Sequence, residues 1–183
     1  VMGTEFAVML AAGYILVRRQ IASPAPLLPV DLLAIPIFGL SIATSVCSFV
    51  AQSLALVSLP FFLHGNLGYS AVQIGLLMTP WPLATSVLAP ISGRLSDRYP
   101  AGLLGLAGLL MLALGLASLA LLPEQAARLN IAWRMALAGA GFGLYQTPNN
   151  RTIISSAPHE RSGGAAGTQG MARLLGQTVG AAL

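Results

Sequence analysis

AGLLGLAGLLMLALGLASLALL, residues 101–122, holds Ser118 as its one polar side chain and carries no charge. About 20 apolar residues cross the roughly 30 Å hydrocarbon core of a bilayer as a helix, so this stretch reads as a complete span. An open strand would leave backbone amides unpaired in lipid, which makes the helix the only choice.

Working outward from it, five more apolar runs appear, and the outermost two read as incomplete. The first covers about Val1 to Val17, ends at Arg18 and Arg19, and is followed by a loop through Ser23, Pro24, Pro26 and Pro29 to Asp31. The second covers about Leu33 to Leu63, long enough to tilt or to include an interfacial stretch. A turn from His64 to Ser70, with Gly65, Asn66 and Gly68, precedes the third run, Ala71 to Ser92. The charged turn Gly93 to Pro100 leads into the opening stretch, the fourth run. Beyond Pro123, Glu124 and Arg128 the fifth run extends from Ile131 to about Ala157, and the sixth begins near Gly163 and stops at Leu183. The fold class expected is therefore all-α, a polytopic membrane bundle. Residues 1–32 read as the end of a linker helix and a cytoplasmic loop, and 33–183 as the bundle itself, the whole being a fragment that lacks sequence at both ends.

Composition agrees. Of 183 residues 56% are apolar and 8% charged, against about 25% charged in a soluble domain; an ordinary soluble enzyme is excluded. Nine arginines, no lysine and five acids set the net charge of +4. The arginines stand singly or in pairs between apolar runs, not on one solvated face, so no nucleic acid is expected as a partner. The lone Cys47 supports neither a disulfide framework nor a metal site. His64 and His159 have no partner at metal spacing, and Ser155, Ser156 and His159 lack an acid and an oxyanion site. No cofactor and no catalytic residue is expected.

Cytoplasmic loops carry the excess of positive charge. With the Gly93 to Pro100 turn inside, Arg18, Arg19, Arg94, Arg98, Arg151 and Arg161 share that side, and Arg128 and Arg134 lie toward the other. A multi-pass protein of the cytoplasmic, inner membrane follows as the expectation.

The turn itself, Gly93-Arg94-Leu95-Ser96-Asp97-Arg98-Tyr99-Pro100, is the most informative segment. Arg94 and Asp97 are three apart and can pair on one helix face. Asp97 also lies one turn ahead of the fourth span, where a carboxylate favours the helix amides. A positive-inside anchor with a helix cap explains the turn; a latch between two arginines explains it too. The stretch resembles the cytoplasmic loop motif Gly-x-Leu-Ala-Asp-Arg of the major facilitator superfamily, matched by Gly93, Leu95, Asp97 and Arg98. Pro80-Trp81-Pro82, Ala89-Pro90, Gly141-Phe142-Gly143, Pro148-Asn149-Asn150-Arg151 and Arg173-Leu174-Leu175-Gly176-Gln177 extend the likeness. Together they look like the fourteen-span drug:proton antiporter branch, close to the methyl-viologen and quaternary-ammonium exporters. That resemblance implies part of a C-terminal six-helix half and a polar cavity between two halves. It also implies alternating access, and proton influx driving the efflux of small cationic or hydrophobic drugs.

Polar residues inside spans are rare and often functional. Gln52 and Ser53 in the second span, Tyr145, Gln146 and Asn149 in the fifth, and Gln169, Arg173 and Gln177 in the sixth are the candidates. The last three follow at four-residue steps and form one stripe on one helix face. Interhelical hydrogen bonding, worth about 0.6 kcal/mol each, explains the amides. Arg173 resists that account, because an arginine about ten residues into a span cannot easily snorkel. Under the resemblance, Gln52, Tyr145, Gln146, Asn149, Gln169 and Arg173 line the substrate cavity, and Gly93, Arg94, Asp97 and Arg98 gate it.

Gly139, Gly141 and Gly143 lack the preceding strand that a dinucleotide loop needs; within a span they allow close helix packing or bending. Pro82, Pro90 and Pro148, with Gly141 and Gly143, are the expected bending points. The fourth span, almost without polar atoms, reads as lipid-facing nearly all round and packed outside the cavity. Glu5 is the sole carboxylate within an apolar run, a protonatable group or the end of an interfacial helix. Asp31 and Glu160 read as helix caps or partners of Arg161. The coupling acids and the rest of the cavity are expected in a missing N-terminal half, so that lipid, drug, protons and that half are the partners. A non-transporting membrane scaffold subunit, or a facilitator of another class of small molecule, is the alternative.

Overall fold

A computed structural model describes residues 30–123 and 126–183; the first apolar run, Glu5, Arg18, Arg19 and Glu124 lie outside the described residues. Every long element among them is a helix: α1 (Pro36–Gly65), α2 (Ala71–Met78), α3 (Pro80–Leu95), α4 (Ala101–Ala120), α5 (Arg128–Ser155) and α6 (Ser162–Ala182). Short 3-10 turns, Val30–Ala34 and His159–Arg161, precede α1 and α6.

Among the described residues, three segments are long and apolar enough to cross a membrane: Pro36–Gly65, Ala71–Leu95 and Ala101–Ala120. The middle one is α2 and α3 run together. Pro80 and Pro82 offer no N–H to the preceding turn, so the helix breaks at Thr79, whose backbone nonetheless stays helical (φ −57°, ψ −34°). Ser70 starts this span with a reciprocal capping box to Gln73. The helices α5 and α6, of 28 and 21 residues, have the length of spans but are more polar, carrying Arg128, Arg134, Arg151 and Arg173 with several amides.

Glycines set the packing. A Cβ at Gly108 would stand 2.5 Å from the Tyr145 backbone N, and one at Gly115 2.6 Å from that of Ala138, so α4 lies backbone to backbone on α5. Gly139 and Gly143, on another face of α5, meet the backbones of Trp81 and Thr85 in α3. Gly176 and Gly180 let α6 close on Val46, Phe49 and Val50 of α1. Small residues at such spacing are how membrane helices approach without a hydrophobic driving force. The expectation for the fourth span needs correcting here. Leu104, Gly108, Leu112, Gly115 and Leu119 of α4 are buried, and the opposite side, with Leu103, Leu106, Leu110 and Leu114, is exposed as lipid-facing surface. One face in each turn is glycine or leucine against α5, a distinction that uniform apolarity hides.

Several polar groups between helices are matched, although the buried Trp81 Nε1 and Tyr145 hydroxyl have no partner among the described residues. Pro148 is fully buried in α5 and frees the carbonyl of Leu144, four residues back; the Ser92 hydroxyl of α3 donates to that oxygen at 2.7 Å. Thr85 donates to Gly139 O at 2.9 Å and Thr147 to Ala89 O at 3.3 Å, so α3 and α5 are joined by three such bonds. At the far end of α5, the Arg134 guanidinium bonds the Asn130 side chain at 2.9 Å and the Ser118 carbonyl. It thereby caps the last turn of α4, where a cation suits the helix dipole.

Candidate functional site

Three helices, α1, α5 and α6, meet around a hollow of about 380 Å³. Its floor is aromatic. Phe49 of α1 and Phe142 of α5 meet edge to face with centroids 5.6 Å apart, and Trp81 of α3 lies beyond, 6.4 Å from Phe142. Glycines make this possible, because Gly139 brings the α3 backbone beside Phe142 and Gly176 brings α6 against Phe49. The polar lining is Gln52 and Ser53 from α1, Gln146 from α5, and Arg173 and Gln177 from α6. Ser53 donates to the Gln177 carbonyl at 2.8 Å and ties α1 to α6 at this level. The Arg173 guanidinium stands over the Phe49 ring, 5.8 Å from its centroid, a cation–π geometry.

A second hollow, also about 380 Å³, shares Gln52 and Leu56 and continues along Met78, Trp81, Pro82, Thr85 and Ser86 of the α2–α3 span. Gln52 thus stands between the two. Arg173 lies eleven residues into α6, about 16 Å along its axis at 1.5 Å per residue, which is near mid-bilayer for a span of this length. A third concavity of about 450 Å³, between α1 and α4, is lined by Leu54, Leu59, Phe62 and Leu116 among other apolar side chains; it offers no converging polar groups and reads as a lipid groove.

Of the expected cavity residues, Gln52, Gln146 and Arg173 come together, with Gln177 and Ser53 beside them. Three others do not line either hollow. Tyr145 is 3% exposed, turned toward the α4 contact at Gly108, and its hydroxyl has no partner among the described residues. Adjacent positions on a helix point about 100° apart, so Gln146 reaches the hollow and Tyr145 does not. Asn149 is engaged between helices: its amide donates to Ser45 Oγ at 2.7 Å and Ser41 O at 3.3 Å in α1. Gln169, one turn before Arg173 on α6, is not among the lining residues. Pro82 lines the second hollow, whereas Gly141 packs on Leu112 and Gly143 on Thr85. Pro90 lies inside α3.

Phe49, Phe142 and Trp81 were not among the expected site residues. A signal existed: Phe49, Gln52, Ser53 and Leu56 share one face of α1 at three- and four-residue steps, and Phe142 precedes Gln146 by four.

At the arginine-rich end, the pairing differs from expectation. Asp97 binds Arg151 of α5 at 2.7 Å, not Arg94. The helix α3 stops at Leu95, so the three-residue spacing from Arg94 to Asp97 does not lie on one helical face, while Arg151 reaches across from the end of α5. Gly93 packs lightly on Thr147, beneath the same junction. A second ion pair joins Asp31, before α1, to Arg161, before α6. The guanidinium holds the Asp31 carboxyl below its ordinary pKa, through the hydrogen bond first. Each pair links segments that neighbour one another only in the folded bundle.

Comparison with known proteins gives these features a context. The family model described as Major Facilitator Superfamily matches residues 6–181. An uncharacterized transporter of Escherichia coli (strain K12), YebQ, is 63% identical over 179 residues, 98% of this chain and 39% of its own length. The multidrug resistance protein Stp of Mycobacterium tuberculosis is 32% identical over 88% of the chain and 30% of its own length. The multidrug efflux pump LfrA of Mycolicibacterium smegmatis is 28% identical over 97% and 35%. The chain therefore spans less than two-fifths of the length of these relatives. No solved structure matches it.

Proposed function

Because the chain belongs to the Major Facilitator Superfamily, a family of multi-pass membrane transporters and not of enzymes, we propose that it is part of the C-terminal half of a proton-coupled drug exporter of the cytoplasmic membrane. The observation that carries this reading is the hollow at mid-span, where amides and an arginine stand beside aromatic rings packed edge to face. A bilayer-embedded bundle gains nothing from such a wall unless water or a solute meets it, since polar groups facing lipid are costly. Its volume falls within the range of about 300–1,000 Å³ usual for drug-sized ligands. The relatives named as multidrug resistance and efflux proteins support the substrate class.

An N-terminal half, by this reading, closes the cavity from the other side and brings the carboxylates that exchange protons. Hydrophobic drugs rest in the hollow against the Phe49 and Phe142 rings, and Gln52 and Gln146 orient their polar atoms. The two halves rock about the site, with the break at Thr79 and the buried Pro148 giving α3 and α5 room to bend. The Asp97–Arg151 pair, with Gly93, Arg94 and Arg98 around it, latches one access state. Both partners are largely exposed, so the pair adds little to stability and acts on the balance between states instead.

The test is efflux of the hydrophobic dye Nile red from cells expressing the full-length protein, with and without a protonophore. Efflux that stops when the gradient collapses, and slows roughly five-fold or more in Asp97→Asn at normal membrane abundance, is the expected result. Efflux indifferent to the gradient overturns proton coupling.

A further inference from the structure

We infer that the substrate group received by this wall is an anion, and that the transported compounds include flat aromatic acids whose carboxylate docks on Arg173. This rests on the reading of the hollow as a drug-binding surface and specifies its chemistry. Among the described residues, Arg173 is the one charged side chain lining either hollow, and a guanidinium is a permanent cation with a planar fork of donors that matches a carboxylate. It makes no ion pair or hydrogen bond with any described residue. Its contact is the face of Phe49, which orients the guanidinium plane and leaves its donor edge for a solute.

The neighbours suit the same ligand. Gln52, Gln146 and Gln177 each bring an amide N–H₂ to the hollow, and Ser53, already committed to the Gln177 carbonyl, fixes α6 at the height where Arg173 meets α1. Phe49 and Phe142, in edge-to-face contact at 5.6 Å, give the hollow an apolar aromatic floor beside the guanidinium, against which the ring system of such an acid rests. A cationic drug placed here would meet like charge at mid-bilayer, where screening by water is weak. Its charged end must lie toward the opposite half, or it must bind elsewhere. Specificity then comes from repulsion as much as attraction.

A matched pair of probes decides it: 2-naphthoate and 1-naphthylmethylammonium, the same ring system with opposite charge. Binding to the purified full-length protein is measured by equilibrium dialysis, and proton-driven transport of both is followed in proteoliposomes. The wild type is expected to bind naphthoate more tightly than the ammonium compound. Arg173→Gln is expected to lose roughly tenfold or more in naphthoate affinity with no loss for the ammonium compound, and Arg173→Lys to restore part of it. Equal naphthoate binding by wild type and Arg173→Gln, or tighter binding of the ammonium compound by the wild type, overturns the inference. Gradient-driven Nile red efflux that persists alongside such a result leaves the exporter reading standing and removes only the anion site. Loss of Nile red efflux in the wild type removes the exporter reading itself.

Discussion

Single side chains in this bundle act mainly by satisfying carbonyls that the helices leave open. Ser92 is the clearest case, fully buried and bonded to the Leu144 oxygen that Pro148 frees. Ser92→Ala orphans that oxygen inside the bundle, at a cost of about 1–3 kcal/mol, and is expected to lower the thermal midpoint in detergent. Thr178→Ala, whose hydroxyl bonds only its own helix on an exposed face, should leave the midpoint unchanged. Asp31 carries a pH prediction. Its carboxyl is held below its ordinary value by Arg161, so the folded form binds a proton less readily than the unfolded one. The stabilisation is present at neutral pH, begins to fall below about pH 4 and is lost as pH drops through the lowered value. Thermal midpoints measured across that range should converge for wild type and Asp31→Asn at the acid end; a constant difference would contradict the assignment.

Helices pair where glycine removes the Cβ from between two backbones, and the effect is local to one face. On α4, a methyl at Gly115 would meet the Ala138 backbone at 2.6 Å, while Gly105 has nothing within 4 Å. Gly115→Ala should therefore cost about 1–3 kcal/mol by overpacking. Gly105→Ala should be neutral or gain up to about 1 kcal/mol from helix propensity. Unfolding both variants in the same detergent checks the contrast. The sequence alone marks these glycines as packing elements but cannot rank them. Gly102, Gly105 and Gly108 form the visible pattern, yet only Gly108 touches α5, because the rank depends on which face the partner helix takes. The same limit explains α4 as a whole, where a run of leucine and alanine conceals a buried stripe seven residues in repeat. The runs themselves were plain, since length and apolarity are properties of the chain, and each described run became a helix or a pair of helices within a few residues of its expected limits.

At the scale of the molecule, the helices converge to place polar atoms from α1, α5 and α6 on one aromatic floor. Half of that convergence was legible. Gln52, Gln146 and Arg173 stood out as polar groups in apolar runs, whereas Tyr145 and Asn149, equally polar, turn toward helix contacts. Rotation about each helix axis decides between those outcomes, and it is fixed by partners distant in sequence: Gly108 for Tyr145, Ser45 for Asn149. The Asp97–Arg151 pair escaped for the same reason, spanning 54 residues.

Every step from hollow to transport assumes that these helices cross a bilayer with the Asp97 turn on the cytoplasmic side. Labelling with a membrane-impermeant maleimide in intact cells tests it most directly, using Asn66→Cys and Ser96→Cys in full-length protein freed of Cys47, which is itself exposed. The account predicts that the cysteine at 66 reacts from outside and that the one at 96 reacts only after the membrane is opened. Labelling at 96 in sealed cells, with 66 protected, would contradict it.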